Sequence, residues 1–191
     1  MEDTKYCLCC GDQVPFHIIE RHGKTEERCS YCGFVLDIQK TKPHRINIEK
    51  GNALIADDSK YTRKMIQEIL KEKNYSGHIE SFENGAELVS AYAKLLSEKK
   101  RVDVAIIDLN MPIMDGIKAA MTLRTLEVQQ NISNVPIVFF SGVKADEDLK
   151  RKLEELTPSV YLNKSTDPDP DKLAKRIEEL VSFILAEYER K

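Results

Sequence analysis

The stretch VAIIDLNMP, residues 104–112, decides how the rest of the chain is read. Val104, Ala105, Ile106 and Ile107 are apolar and partly β-branched, which suits a short strand covered on both faces. The strand then ends on a carboxylate, Asp108, and Pro112, which a helix interior does not admit, follows soon after. A charge at the end of a buried strand is costly unless something pairs with it. The remaining sequence has to supply that partner.

Working outward, four more short apolar runs appear: Ala53–Ala56, His78–Phe82, Ile137–Phe140 and Val160–Leu162. Between them lie helical periods, such as Met65, Ile66, Ile69 and Leu70, or Leu88, Val89, Tyr92, Leu95 and Leu96. A last amphipathic stretch carries Leu173, Ile177, Leu180, Val181, Ile184 and Tyr188 on one face. Five β-α units with continuous rather than alternating apolar strands predict an α/β fold, a five-stranded parallel sheet doubly wound with helices. Ligands of such sheets bind outside the carboxyl ends of the strands, where the strand order reverses. The polar residues at those ends are Asp57 and Asp58 after the first strand, Asp108 after the third, Ser141 and Gly142 after the fourth, and Lys164 after the fifth.

Three carboxylates held together repel, so their pKa values rise or a cation sits among them. Oxygen ligands with room for water suit Mg²⁺, which bridges a carboxylate and a phosphoryl oxygen and neutralises charge during phosphoryl transfer. Asp108 then reads as an oxygen nucleophile of the kind that forms an aspartyl-phosphate. The bland reading of Asp57 and Asp58 is that they cap the helix that follows, which leaves Asp108 and Lys164 unexplained.

Four pieces in order, ALIADDSKYTRKM (residues 53–65), DLNMPIMDG (108–116), FFSG (139–142) and VYLNK (160–164), make residues 52–191 resemble the receiver domain of two-component response regulators. The resemblance implies the flavodoxin-like strand order 2-1-3-4-5 and a phosphoacceptor role for Asp108. It implies direct Mg²⁺ ligation by Asp58 and Asp108, a third ligand in the backbone carbonyl of Asn110, and Asp57 acting through water. Ser141 and Lys164 would contact the phosphoryl group, and Tyr161 would be the switch aromatic that turns inward as Ser141 moves. Two positions depart from the family: Ser165 follows the lysine where proline is usual, and Val143 is apolar, which implies slow self-dephosphorylation. His44 and His78 read as surface or strand residues.

All five cysteines lie in the first 32 residues. Cys7-x₂-Cys10 and Cys29-x₂-Cys32, each followed by glycine, form paired hooks that read as a four-thiolate Zn²⁺ site of zinc-ribbon type. Val14–Ile19 and Thr25–Arg28 are expected to form a hairpin turning at His22, Gly23 and Lys24. Cys9 is left as a spare thiol. Four thiolates leave no open position for a substrate, so zinc is structural, and it supplies stability that a core of this size lacks. The chain divides near residue 45 into a zinc-ribbon module with linker (1–45) and a receiver (46–191).

The 191 residues carry a net charge of −3 and contain no apolar run long enough to span a bilayer or act as a secretory signal, which points to a cytoplasmic chain. Residues 1–45 hold seven basic and seven acidic side chains, so they offer little of the phosphate-driven affinity that dominates nucleic-acid binding. The resulting expectation is a response regulator rather than an enzyme with its own small-molecule product. It would take its phosphoryl group from a sensor histidine kinase or phosphotransfer protein and signal to a protein target, with dimerisation left open. Two rival readings use the same residues: a phosphorylation-independent scaffold, and a nucleic-acid-binding regulator acting through the ribbon.

Overall fold

The computed structural model describes residues 3–21, 24–36, 51–142, 145–164 and 170–188. The boundary near residue 45, His44, the turn residues His22 and Gly23, Val143 and Ser165 lie outside them. Three N-terminal strands come first, β1 (Thr4–Cys7), β2 (Asp12–Arg21) and β3 (Lys24–Cys29), paired antiparallel in the order β1-β2-β3. The expected hairpin is there and is longer than its apolar residues suggested, with Ile19 opposite Glu26 and Phe16 opposite Cys29. Strand β1 was not expected; its four residues carry too short a pattern to register as a strand.

The α/β part follows as β4 (Asn52–Ala56), α1 (Lys60–Glu72), β5 (His78–Phe82), α2 (Gly85–Ser97), β6 (Val102–Ile107), α3 (Gly116–Gln130), β7 (Ile137–Ser141), α4 (Glu147–Glu155), β8 (Ser159–Asn163) and α5 (Pro170–Tyr188). Its five strands are parallel and ordered β5-β4-β6-β7-β8, which is the expected 2-1-3-4-5 order. Every residue of β4 and β7 is buried, as continuous apolar strands between two helix layers should be. Their side chains alternate between the layers. Ala53 and Ile55 join the core under α1 and α5, while Leu54 and Ala56 join the core under α2 and α3. Order reverses between β4 and β6, so the carboxyl ends of those two strands flank the crevice where such sheets bind ligands. No helix among the described residues is long and apolar enough to cross a membrane.

Helix starts are fixed by short polar side chains. Ser59, Asn84, Asp115 and Asp146 cap α1 to α4, each accepting from a backbone N–H in the first turn. One buried polar network ties the second core together. Glu127 is fully buried and accepts from Tyr92 Oη (2.8 Å), Val135 N (2.8 Å) and Arg124 Nη1 (2.7 Å). Arg124 also donates to the carbonyls of Val135, Leu156 and Pro158, joining α3 to the approaches of β7 and β8. Removing one partner of a buried pair strands the other charge. Glu127→Ala is therefore expected to destabilise the protein by about 3–5 kcal/mol, read from urea unfolding monitored by far-UV circular dichroism.

Candidate functional site

The residue that answers Asp108 is Lys164. Its Nζ lies 2.9 Å from Asp108 Oδ2 and 2.6 Å from Asp57 Oδ2, so one ammonium sits between two carboxylates from neighbouring strands. Two backbone bonds set this geometry: Asp108 N donates to Ala56 O (2.8 Å), and Lys164 N donates to Ser141 O (2.8 Å). The Lys164 ammonium also stands 5.0 Å from the centre of the Phe140 ring. Each strand end is thus held to its neighbour at the level of the charges.

Asp57, Asp58 and Asp108 each bring a carboxylate oxygen within 4.8 Å of the others; Asp57 and Asp108 are buried and Asp58 is exposed. Burial pushes the Asp57 carboxyl up from its usual range, and Lys164 pulls against that rise. Such a set, hard oxygens with one side open to water, fits Mg²⁺. Helix capping does not account for the acidic pair. Ser59 is the cap of α1, accepting from Thr62 N, while Asp57 Oδ1 accepts from Ser59 N at 2.9 Å. Asn110 N donates to Asp108 Oδ1 at 3.3 Å. Ser141 is fully buried, and the Tyr161 hydroxyl, also buried, donates to its carbonyl at 3.5 Å.

Sequence reasoning missed Arg63. From the buried face of α1 it donates to the carbonyls of Asp57 (2.7 Å) and Asp58 (3.1 Å) and to Glu83 Oε1 (2.7 Å), fixing the acidic loop from below. The available signal was its spacing: Arg63, Ile66 and Leu70 share one helical stripe, and an arginine in an apolar stripe needs a buried partner. Gly116 was quoted only as part of a motif. A Cβ on it would lie 2.2 Å from Asp108 O, so the chain passes under the acceptor residue too closely for any side chain.

The second cluster is the four-cysteine centre. Sγ atoms of Cys7, Cys10, Cys29 and Cys32 lie within 4.8 Å of one another, with Cys7–Cys32 at 3.6 Å and Cys10–Cys29 at 3.7 Å. A tetrahedral zinc with Zn–S bonds of about 2.3 Å sets its sulfurs about 3.8 Å apart, so the site fits the ion. The two hooks are built alike. Cys10 N and Cys32 N each point at the first sulfur of their own hook at 3.4 Å, and Gly11 and Gly33 close the turns at φ +73° and +74°. Hydrogen bonding with Cys10 draws the Cys29 thiol down to about 7, while Cys29 pushes Cys10 up. Sharing of this kind favours one thiolate against its neighbour, and all four deprotonate together only around a cation. Cys9 stays outside the cluster; burial pushes its thiol up, which makes it unreactive.

A family model of the response regulator receiver domain matches residues 53–178. The chain belongs to that family. Among relatives, the receiver is 28% identical over 135 residues to a hybrid signal transduction histidine kinase E of Dictyostelium discoideum, covering 71% of this chain and 7% of the kinase. It is 29% identical over 101 residues to the chemotaxis protein CheY of Halobacterium salinarum, covering 53% of this chain and 74% of that protein. It also matches the receiver domain of the Arabidopsis thaliana histidine kinase CKI1 solved with Mg²⁺, at 25% identity and a TM-score of 0.56, covering 68% of this chain and 91% of that one. The chain matches only a small part of the hybrid kinase's length. Receivers are modules of two-component signalling and in general phosphoacceptors.

The close pass of Gly116 gives a direct check. Gly116→Ala is expected to cost about 1–3 kcal/mol, since backbone must shift to admit the methyl. Alanine at Gly142, where an added Cβ meets nothing within 4 Å, should stay within about 0.5 kcal/mol of the parent. Thermal unfolding of both variants measures the contrast.

Proposed function

We propose that this protein is a cytoplasmic response regulator that accepts a phosphoryl group on Asp108 from a sensor histidine kinase or phosphotransfer protein, and thereby switches its contacts with a protein target. The observation that carries this reading is the Lys164 ammonium lodged between Asp57 and Asp108, beside a third carboxylate. An Asp108 oxygen attacks phosphorus; the bond from phosphorus to the donor nitrogen or oxygen breaks, and the donor leaves with its electron pair and takes up a proton. Lys164 and Ser141 hold the other phosphoryl oxygens, one by charge and one as a hydrogen-bond donor. Tyr161 fills the space beside Ser141 and follows its movement.

Asp58 and Asp108, with the backbone carbonyl of Asn110, would hold Mg²⁺, and Asp57 would act through water. The ion supplies neutralisation between carboxylate and phosphoryl oxygens. Residues 1–45 would comprise the zinc-ribbon module and a linker, with Cys7, Cys10, Cys29 and Cys32 as a closed structural Zn²⁺ site, and residues 46–191 the receiver. Balanced charge in the ribbon favours protein contact over nucleic acid.

Acetyl phosphate with Mg²⁺ should add one phosphoryl group per chain by mass spectrometry, and Asp108→Asn should remove the labelling; labelling that persists in that variant assigns the acceptor elsewhere. Elemental analysis should find one zinc per chain, lost on Cys7→Ser plus Cys32→Ser. Zinc retained by the double variant rejects the site.

A further inference from the structure

The N-terminal module is packed against α4, α5 and the end of β8, beside the site lysine. Strand β8 is the outer strand of the five-stranded sheet. At its end, Asn163 N donates to Cys9 O at 2.9 Å, and the next residue is Lys164. Cys9 lies between two of the four clustered cysteines, so closure of the Cys7–Cys10 hook sets where its carbonyl points. The same carbonyl accepts from Arg176 Nη2 at 2.8 Å, and Leu8 O accepts from Arg176 Nε at 2.8 Å. From α4, Lys150 donates to Ser30 O at 2.7 Å. From α5, Phe183 meets Phe34 edge-on, with ring centres 5.6 Å apart. Cys32 packs against both halves of the receiver core.

Arg176 indicates that this contact depends on what the cysteines hold. It is 3% exposed, both bonds described end on neutral carbonyls, and among the described residues its Nη1 has no hydrogen-bond partner. It presses so closely on the Cys7–Cys10 hook that a Cβ on Gly11 would lie 2.5 Å from Nη1. A buried guanidinium needs an anion. Four thiolates around a divalent ion carry a net charge of −2 and supply one at that hook. Metal binding thus creates the counter-charge for a receiver residue and, through the same hook, fixes the carbonyl that holds the end of β8.

We infer that the four-cysteine module is a built-in positioning element of the receiver site: closed on its metal, it holds Cys9 O on Asn163 and Arg176 and so keeps Lys164 over Asp57 and Asp108. Metal occupancy and binding of the phosphoryl group are then positively coupled, and the coupling is reciprocal. This rests on the proposed zinc and phosphoacceptor roles. Arg176 and Cys9 act through Lys164 and touch no reacting atom, so they are positioning residues.

The test uses the full chain and beryllofluoride with Mg²⁺ as the phosphoryl mimic. Beryllofluoride affinity is measured on zinc-loaded protein, on protein stripped with a chelator, and on zinc-loaded Arg176→Met and Arg176→Lys. Stripping, or Arg176→Met with zinc retained, should weaken the mimic by about fivefold or more, with Arg176→Lys recovering part of the loss. In the reverse direction, beryllofluoride should slow zinc release from the parent to a chromogenic chelator, and that slowing should disappear in Arg176→Met. A merely structural role for Arg176 lowers stability without making zinc release respond to beryllofluoride. Equal affinities in all forms, with zinc release blind to the mimic, overturn the coupling while leaving both site readings intact. Failure to bind beryllofluoride in any form overturns the phosphoacceptor reading and the coupling together.

Discussion

Everything at the carboxyl edge of the sheet follows from like charges brought together. Strands β4 and β6 are neighbours, both are buried, and both end on carboxylates, so the fold forces Asp57 and Asp108 into each other's field. In a low-dielectric site that arrangement persists only with a cation in it. Lys164 meets the demand from β8, two strands away from β6, which makes the position of an edge strand a condition for the stability of the centre. Arg63 meets a second part of it from below, binding the carbonyls of the acidic loop rather than its carboxylates. The cluster is therefore a place where charge has been concentrated and cations are admitted, which is what phosphoryl chemistry requires.

Much of this was legible from residue patterns. Buried parallel strands are continuous apolar runs, and β4, β6 and β7 were visible as such, because covering on both faces erases the polar alternation that blurs strand limits. The convergence of Asp57, Asp58, Asp108 and Lys164 followed from the rule that strand carboxyl ends share one edge. The cysteine hooks were legible because their repeated C-x₂-C-G spacing brings four sulfurs together. What could not be read was anything set by contact between distant segments. Arg63 went unread because its partners, the carbonyls of Asp57 and Asp58, are set by the fold, Gly116 hid its close approach to Asp108, and Ile113 gives no sign in sequence of its left-handed backbone at φ 67°. Cys9 looked spare because the part of it that matters is its carbonyl, which no side-chain pattern reports.

The placement of the N-terminal module was the least legible feature of all. Its charge is balanced and its cysteines point to a metal rather than to a partner surface, so nothing in residues 1–45 points at a docking face. The decisive groups are on the receiver: a buried arginine on α5 and an outer strand whose last amide needs an acceptor. Only when both are seen against the Cys7–Cys10 hook do two modules read as one physical unit, with Cys7, Cys29 and Phe34 in the same core as Ile177 and Leu180.

The bond from Asn163 N to Cys9 O at the end of β8 has a consequence for solubility. An outer strand offers a row of unpaired backbone groups to any other chain, and proteins usually blunt such strands with charge or proline. Ser159–Asn163 reads SVYLN, with no charged residue, β-prone side chains at its centre and its last three residues buried. The opposite outer strand, β5, carries His78 and Glu80 and is more exposed. Only the first looks like a segment able to stack with copies of itself into fibrils. The cysteine module closes one end of that strand: Cys9 O takes the Asn163 amide, a backbone group that no second chain can then use.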